Sequence, residues 1–197
     1  MIKLGAKELR NSQPDEEKIA RIKRNPVYIV LDNVLDTYNI GAIFRLADAV
    51  SVGMVYLCGG TAMPDDPKVG HKIDKASVGT YKWIKWKHVP TALEAVSRIS
   101  NSKIQMSNKF QIPKSKCQII SVEQDKRSVL YTKAKYEFPL AIVMGHETNG
   151  VSKEVLDISD LIVEIPMWGV NKSLNVMVSS AIVLYEIMKR VDRKKRI

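Results

Sequence analysis

Apolar residues in this chain come in short, β-branched runs separated by polar loops and by stretches with helical spacing. VYIVLD (27–32), MVYLCG (54–59), CQIISV (117–122), PLAIVMG (139–145) and LIVEIPM (161–167) are too short for ordinary helices and read as buried strands. Between the first two, IGAIFRLADAV (40–50) places Ile43, Leu46, Ala47 and Val50 on one helical face, with Asn39 positioned to cap it. Strand, helix and strand joined by short connections predict an α/β domain on a parallel sheet. WIKWKHV (83–89) alternates apolar and basic residues and reads as a strand with one wet face, followed by a helix over 91–99. A polar turn and helix are expected after residue 122, a short helix at KEVLDI, and a closing helix after LIVEIPM. Residues 101–116 are polar and basic and read as an inserted loop. The chain divides into a basic extension (1–26), one domain (27–189) and a basic tail (190–197).

Composition narrows the partners more than the fold. The chain has 197 residues and a formal net charge of +10, which points to a polyanion. In the tail six basic residues, Arg193 among them, stand against Asp192. Lysines 68, 72, 75, 82, 85 and 87 surround Tyr81, Trp83 and Trp86. Lysines meet phosphates and aromatic rings stack on unpaired bases, so Lys72, Lys75, Lys82, Lys85 and Arg193 are candidate RNA contacts. Cys58 and Cys117 are the only cysteines, and neither a signal peptide nor a membrane-length apolar run is visible. A cytoplasmic protein is expected. His71, His88 and His146 lack metal spacing, so no metal is expected.

Candidate chemistry lies in three loops that follow strand ends, where open α/β sheets place ligands. One holds Asn39 and Arg45, a second runs GHETNGVS (145–152), and the third joins the last strand to the closing helix through Asn171, Ser173 and Asn175. Ser and Asn are natural helix caps, yet this junction carries more hydrogen-bonding groups than a connection requires. No GxGxxG follows the first strand, which disfavours a nicotinamide-dependent enzyme.

Together these segments resemble the SpoU/TrmH branch of the SPOUT superfamily, the S-adenosylmethionine-dependent RNA ribose 2′-O-methyltransferases. The family motif N-x-G-A-x-x-R-x-A-x-A matches Asn39 to Ala49; G-x-E-x-x-G-h-S matches Gly145 to Ser152; I-P-M-x-G-x-x-x-S-L-N-V matches Ile165 to Val176. SVEQ (121–124) looks like the family's cofactor-side strand end, and Ser51 stands where a glycine is common. The resemblance implies a parallel, Rossmann-like SPOUT fold whose C-terminal segment forms a deep trefoil knot, a topology that pattern alone would never propose. It implies a homodimer that binds RNA, tRNA (a D-loop guanosine) ahead of rRNA. A non-catalytic RNA-binding protein on the same fold is the rival from another class. It also implies that Val122, Gly145, Glu147, Gly150, Ile165, Met167, Ser173 and Leu174 hold S-adenosylmethionine, with Asn39, Arg45, Ser173 and Asn175 catalytic. Because a guanidinium stays protonated, Arg45 is expected to act as a charge that favours the ribose alkoxide, leaving the proton acceptor open.

Overall fold

In the computed structural model, which describes residues 3–101 and 117–191, the β-branched runs become the centre of a parallel sheet. The strands are β1 (Asn25–Asp32), β2 (Val52–Cys58), β3 (Trp86–Val89), β4 (Gln118–Val122), β5 (Val129–Leu130), β6 (Leu140–Gly145) and β7 (Leu161–Glu164). Their order is β3-β2-β1-β6-β4-β7-β5, and every pairing is parallel. The helices are α1 (Ala6–Asn11), α2 (Glu16–Ala20), α3 (Thr37–Ala49), α4 (Gly70–Ser77), α5 (Ala92–Asn101), α6 (Lys153–Ile158) and α7 (Val176–Met188).

Because side chains alternate along a strand, each central strand feeds two cores. Val27, Ile29 and Leu31 of β1 join Leu140, Ile142 and Met144 of β6 beneath α3, α4 and α7. Tyr28 and Val30 join Ala141 and Val143 on the other face, beneath α5 and α6. Gly41 lets α3 cross α4 closely: a Cβ there would lie 2.5 Å from the Ala76 Cβ and 2.8 Å from the Ile73 carbonyl oxygen. The motif glycine is thus a packing residue. Ser51 has φ of 51°, the left-handed region, which accounts for the glycine common at that position. Cys58 and Cys117 are buried free thiols, pushed up to about 12 chiefly by burial and therefore inert.

Several expectations need correction. Asp36, not Asn39, caps α3, its carboxylate accepting from the N–H groups of Tyr38 and Asn39. The run 83–89 is not one strand: a 3-10 turn occupies Thr80–Trp83 and only Trp86–Val89 joins the sheet. No helix follows β4. Asp125 instead closes a turn on Arg127 and Ser128, and Val129–Leu130 pairs with β7 at the sheet edge. Residues 102–116 and most of the tail, including Arg193, lie outside the described residues.

The N-terminal segment is fastened to the domain at the 3-10 turn. The Trp83 indole donates to the Ser12 hydroxyl (2.9 Å), the Lys82 amine to the Arg10 carbonyl (3.0 Å), and Arg24 to the Trp83 carbonyl. These contacts change how the basic aromatic stretch is read. Trp83 and Trp86 are half-buried, and Tyr81 packs edge-on against Phe44 with ring centroids 6.4 Å apart. Each of the three rings is therefore partly covered. Lys82 is committed to the N-terminal segment, whereas Lys72, Lys75 and Lys85 are exposed.

Candidate active site

The carboxyl ends of β4, β6 and β7 open into a cavity of about 360 Å³, within the range of small-ligand sites. All eight residues expected to hold a cofactor line it: Val122, Gly145, Glu147, Gly150, Ile165, Met167, Ser173 and Leu174. So do Glu123, Gln124, His146, Glu164, Asn171 and Asn175. Glu123, Glu147 and Glu164 contribute carboxylates, and no lysine or arginine is in the lining. Such a site repels phosphates and favours a ligand that carries positive charge.

The wall after β6 folds back on itself. His146 and Gly150 exchange backbone hydrogen bonds of 3.0 and 2.9 Å, and Nδ1 of His146 accepts from the Thr148 N–H at 2.9 Å. A Cβ on Gly145 would lie 2.1 Å from the Gly150 carbonyl carbon, so this glycine exists for the loop's own closure. Gly150 has φ of 70°, and the space beside it holds the Glu123 carboxylate, which accepts from the Val151 N–H at 3.1 Å. Glu123 thereby joins the end of β4 to the loop after β6. Buried Asp32, at the end of β1, grips the same loop through the Ser152 N–H at 2.8 Å.

A second chain of contacts ties the three motifs together. The Asn175 side chain caps α7 through its oxygen and donates from its amide nitrogen to Oδ1 of Asn39 at 2.9 Å. Asn39 in turn donates to Glu147 at 3.2 Å. Glu147 accepts as well from the N–H groups of Leu35 (3.2 Å) and Asp36 (3.0 Å), anchoring the loop that leads into α3. Sequence reasoning gave Glu147 to the cofactor; its carboxylate is occupied with this loop. Ser173 is not a cap. Its N–H is turned towards the Asn171 side chain at 3.3 Å.

Partial burial would raise the Glu147 pKa, but hydrogen bonds from Asp36, its own N–H, Leu35 and Asn39 outweigh it and hold the carboxyl below its ordinary value of 4.5. A depressed carboxyl stabilises the fold fully above the unfolded-state value, and that contribution is lost as pH falls through the folded one. Glu147→Gln is therefore expected to lower the melting temperature at neutral pH, with the gap to the parent closing below about pH 4. A pH-independent gap in thermal denaturation would contradict this account.

Arg45 lies elsewhere. It is exposed on α3, on the same face as Tyr38 and Ala49, does not line the cavity, and has no ion pair among the described residues. Among these residues no three His, Cys, Asp or Glu side chains converge as a metal site, and no helix is long and apolar enough to cross a membrane.

Comparison with known proteins decides what the cavity belongs to. The description of the SpoU rRNA Methylase family matches residues 26–185. The chain belongs to that family. As a SpoU methylase it is an RNA 2′-O-methyltransferase whose methyl donor is S-adenosylmethionine. It is 30% identical over 172 residues to the tRNA (guanosine(18)-2′-O)-methyltransferase of Aquifex aeolicus, covering 87% of this chain and 73% of that relative. It is 31% identical over 185 residues to the 23S rRNA (guanosine-2′-O-)-methyltransferase RlmB of Haemophilus influenzae, covering 94% and 68%. Among solved structures, the A. aeolicus TrmH/SpoU tRNA modifying enzyme superposes with a TM-score of 0.71 at 27% identity, over 97% of this chain and 83% of that one. The parallel SpoU fold expected from the motifs is thus present, and the motif residues Asn39, Glu147 and Asn175 meet within it.

Proposed function

We propose that this SpoU methylase modifies the ribose 2′-hydroxyl of a guanosine in the D-loop of tRNA. The observation that carries the site assignment is the anionic cavity joined, through Asn175 and Asn39, to the helix that bears Arg45. The tRNA reading rests on the likeness to the guanosine-18 enzyme, and the RlmB relative keeps rRNA as the second reading.

The residues present fit the donor. Backbone groups of Val122, Gly145, Ile165, Met167 and Leu174 would read its adenine and ribose, with Gly150 and Ser173 beside them. The carboxylates of the lining complement a cation. When bound, the donor supplies a methyl group on a positively charged sulfur. The protein's part is alignment of the hydroxyl with that group. Asn39, Ser173 and Asn175 orient the reacting groups, while Arg45 holds the adjacent phosphate and favours loss of the hydroxyl proton. Lys72, Lys75 and Lys85, together with Arg193 in the tail, meet phosphates further out.

The same proposal includes a homodimer. α7 leaves Val178, Ile182 and Tyr185 at least partly exposed at helical spacing, with Val178 at 37% and Tyr185 at 56%. Tyr38, 56% exposed, begins α3 beside the same Asn39–Asn175 contact. An apolar stripe continuous with the active-site junction supports burial against a second copy. A catalytic domain over 27–189, a knotted C-terminal segment and a cytoplasmic location complete the reading.

The test is to incubate the protein with labelled S-adenosylmethionine and separated, unmodified tRNA and rRNA. Label in tRNA, mapped to one D-loop guanosine and accompanied by a dimer in light scattering, is the expected result. Label confined to rRNA would transfer the assignment to the second reading, and donor binding without transfer to any RNA would remove both.

A further inference from the structure

The wall of the cavity formed by 165–175 is packed at its ends, with Ile165 against the core and Leu174 partly buried, but its middle has little holding it. It has no regular secondary structure, Trp168 and Val170 are 91% and 104% exposed, and a Cβ on Gly169 would meet nothing within 4 Å. Internal support is slight, consisting of the long Ser173–Asn171 contact. At its far end Asn175 is secured by Asn39. Between Ile165 and Leu174, one hydrogen bond arrives from the rest of the chain among the described residues. The Gln124 side-chain amide donates to the Lys172 carbonyl at 2.6 Å.

Gln124 itself is well placed for this. It directly follows Glu123, whose carboxylate takes the Val151 N–H with one oxygen and the Gln124 N–H with the other, at 2.9 Å. The Glu123–Gln124 pair therefore reaches two walls of the cavity: Glu123 the loop after β6, Gln124 the loop before α7. Glu123 acts on a loop that already closes through His146 and Gly150. Gln124 acts on one with no comparable closure.

We propose that Gln124 is a positioning residue: its amide N–H, by holding the Lys172 carbonyl, keeps the 165–175 wall against the bound methyl donor and sets how long the donor stays. The inference rests on the assignment of this cavity to S-adenosylmethionine. A neutral side-chain to backbone hydrogen bond of this kind corresponds to roughly a three- to tenfold change in an equilibrium or rate. The loss should fall on donor binding, because the amide touches the wall and not the reacting atoms.

The experiment measures association and dissociation of S-adenosylmethionine and of its neutral thioether product, S-adenosylhomocysteine, by stopped-flow and calorimetry. The full chain is compared with its Gln124→Ala and Gln124→Glu variants. Gln124→Ala is expected to speed dissociation of both ligands about three- to tenfold and to raise KM for the donor to match, with kcat within about twofold and the melting temperature unchanged. Gln124→Glu keeps the shape, lacks the N–H and adds a negative charge to the lining, which by itself would tighten the cationic donor. Faster release of both ligands from this variant as well would place the effect in the latch. Tighter donor binding with unchanged product binding would place it in charge and overturn the proposal. Wild-type dissociation rates in Gln124→Ala would overturn it too. Failure of the parent protein to bind S-adenosylmethionine would instead overturn the reading on which the inference rests.

Discussion

Replacing Arg45 with alanine is expected to cut methyl transfer about a hundred- to a thousandfold while leaving donor binding intact. The side chain is solvent-exposed on α3 and has no ion pair among the described residues, so its removal should not disturb the core. It stands outside the cavity, so donor binding does not depend on it. On the proposed assignment, the variant loses a positive charge that faces the ribose oxygen as it becomes negative, the kind of stabilisation whose single removal has effects of this size. Arg45→Lys should recover little, because an ammonium cannot reproduce the planar, two-pronged grip on phosphate. Single-turnover transfer to tRNA, alongside calorimetric titration of the donor, checks both halves. Near-parental transfer by the alanine variant would remove Arg45 from the mechanism.

Gly145→Ala should have the opposite signature, with donor binding lost first. The new methyl would sit 2.1 Å from the Gly150 carbonyl carbon and 2.2 Å from the Val151 nitrogen, both backbone atoms that cannot rotate away. The loop after β6 must open, breaking the His146–Gly150 exchange and drawing Val151 off Glu123. Overpacking of this kind costs about 3 kcal/mol. Denaturant unfolding should show that loss, and calorimetry should show no donor binding at concentrations that saturate the parent. Unchanged affinity would mean that this loop does not shape the donor site.

The strands were legible because a parallel sheet covered on both sides demands short, continuous apolar runs, and few other structures do. At the cavity, Asn175 was legible as a residue able to cap the helix it begins, and it does cap α7. Legibility stopped where two residues could serve one role. Asp36 and Asn39 are both good caps three positions apart; choosing Asp36 frees Asn39 to bridge Glu147 and Asn175. Glu147 could be assigned to a ligand because its partners, the N–H groups of Leu35 and Asp36, lie more than a hundred residues upstream and leave no local trace. The aromatic residues 81–86 read as a base-stacking surface for the same reason: the contacts of Trp83 with the N-terminal segment and of Tyr81 with α3 cannot be seen in their spacing. Glu123 and Gln124 were visible only as the end of a strand. Their work is done on backbone atoms of two distant loops, which side-chain patterns do not report.

The pairing of β1 has a consequence for how the protein is made. This strand, buried on both faces, lies between β2, which follows within about thirty residues, and β6, whose Leu140 pairs with Val27 more than a hundred residues later. Translation at about 5–20 residues per second leaves one edge of this buried strand open for roughly 5–20 s before its neighbour emerges from the ribosome. During that interval a nascent α3 and β2 can cover part of β1 but cannot close its ladder. Refolding from denaturant is expected to be slow for the same reason, because that long-range partner must be found before the ladder can close.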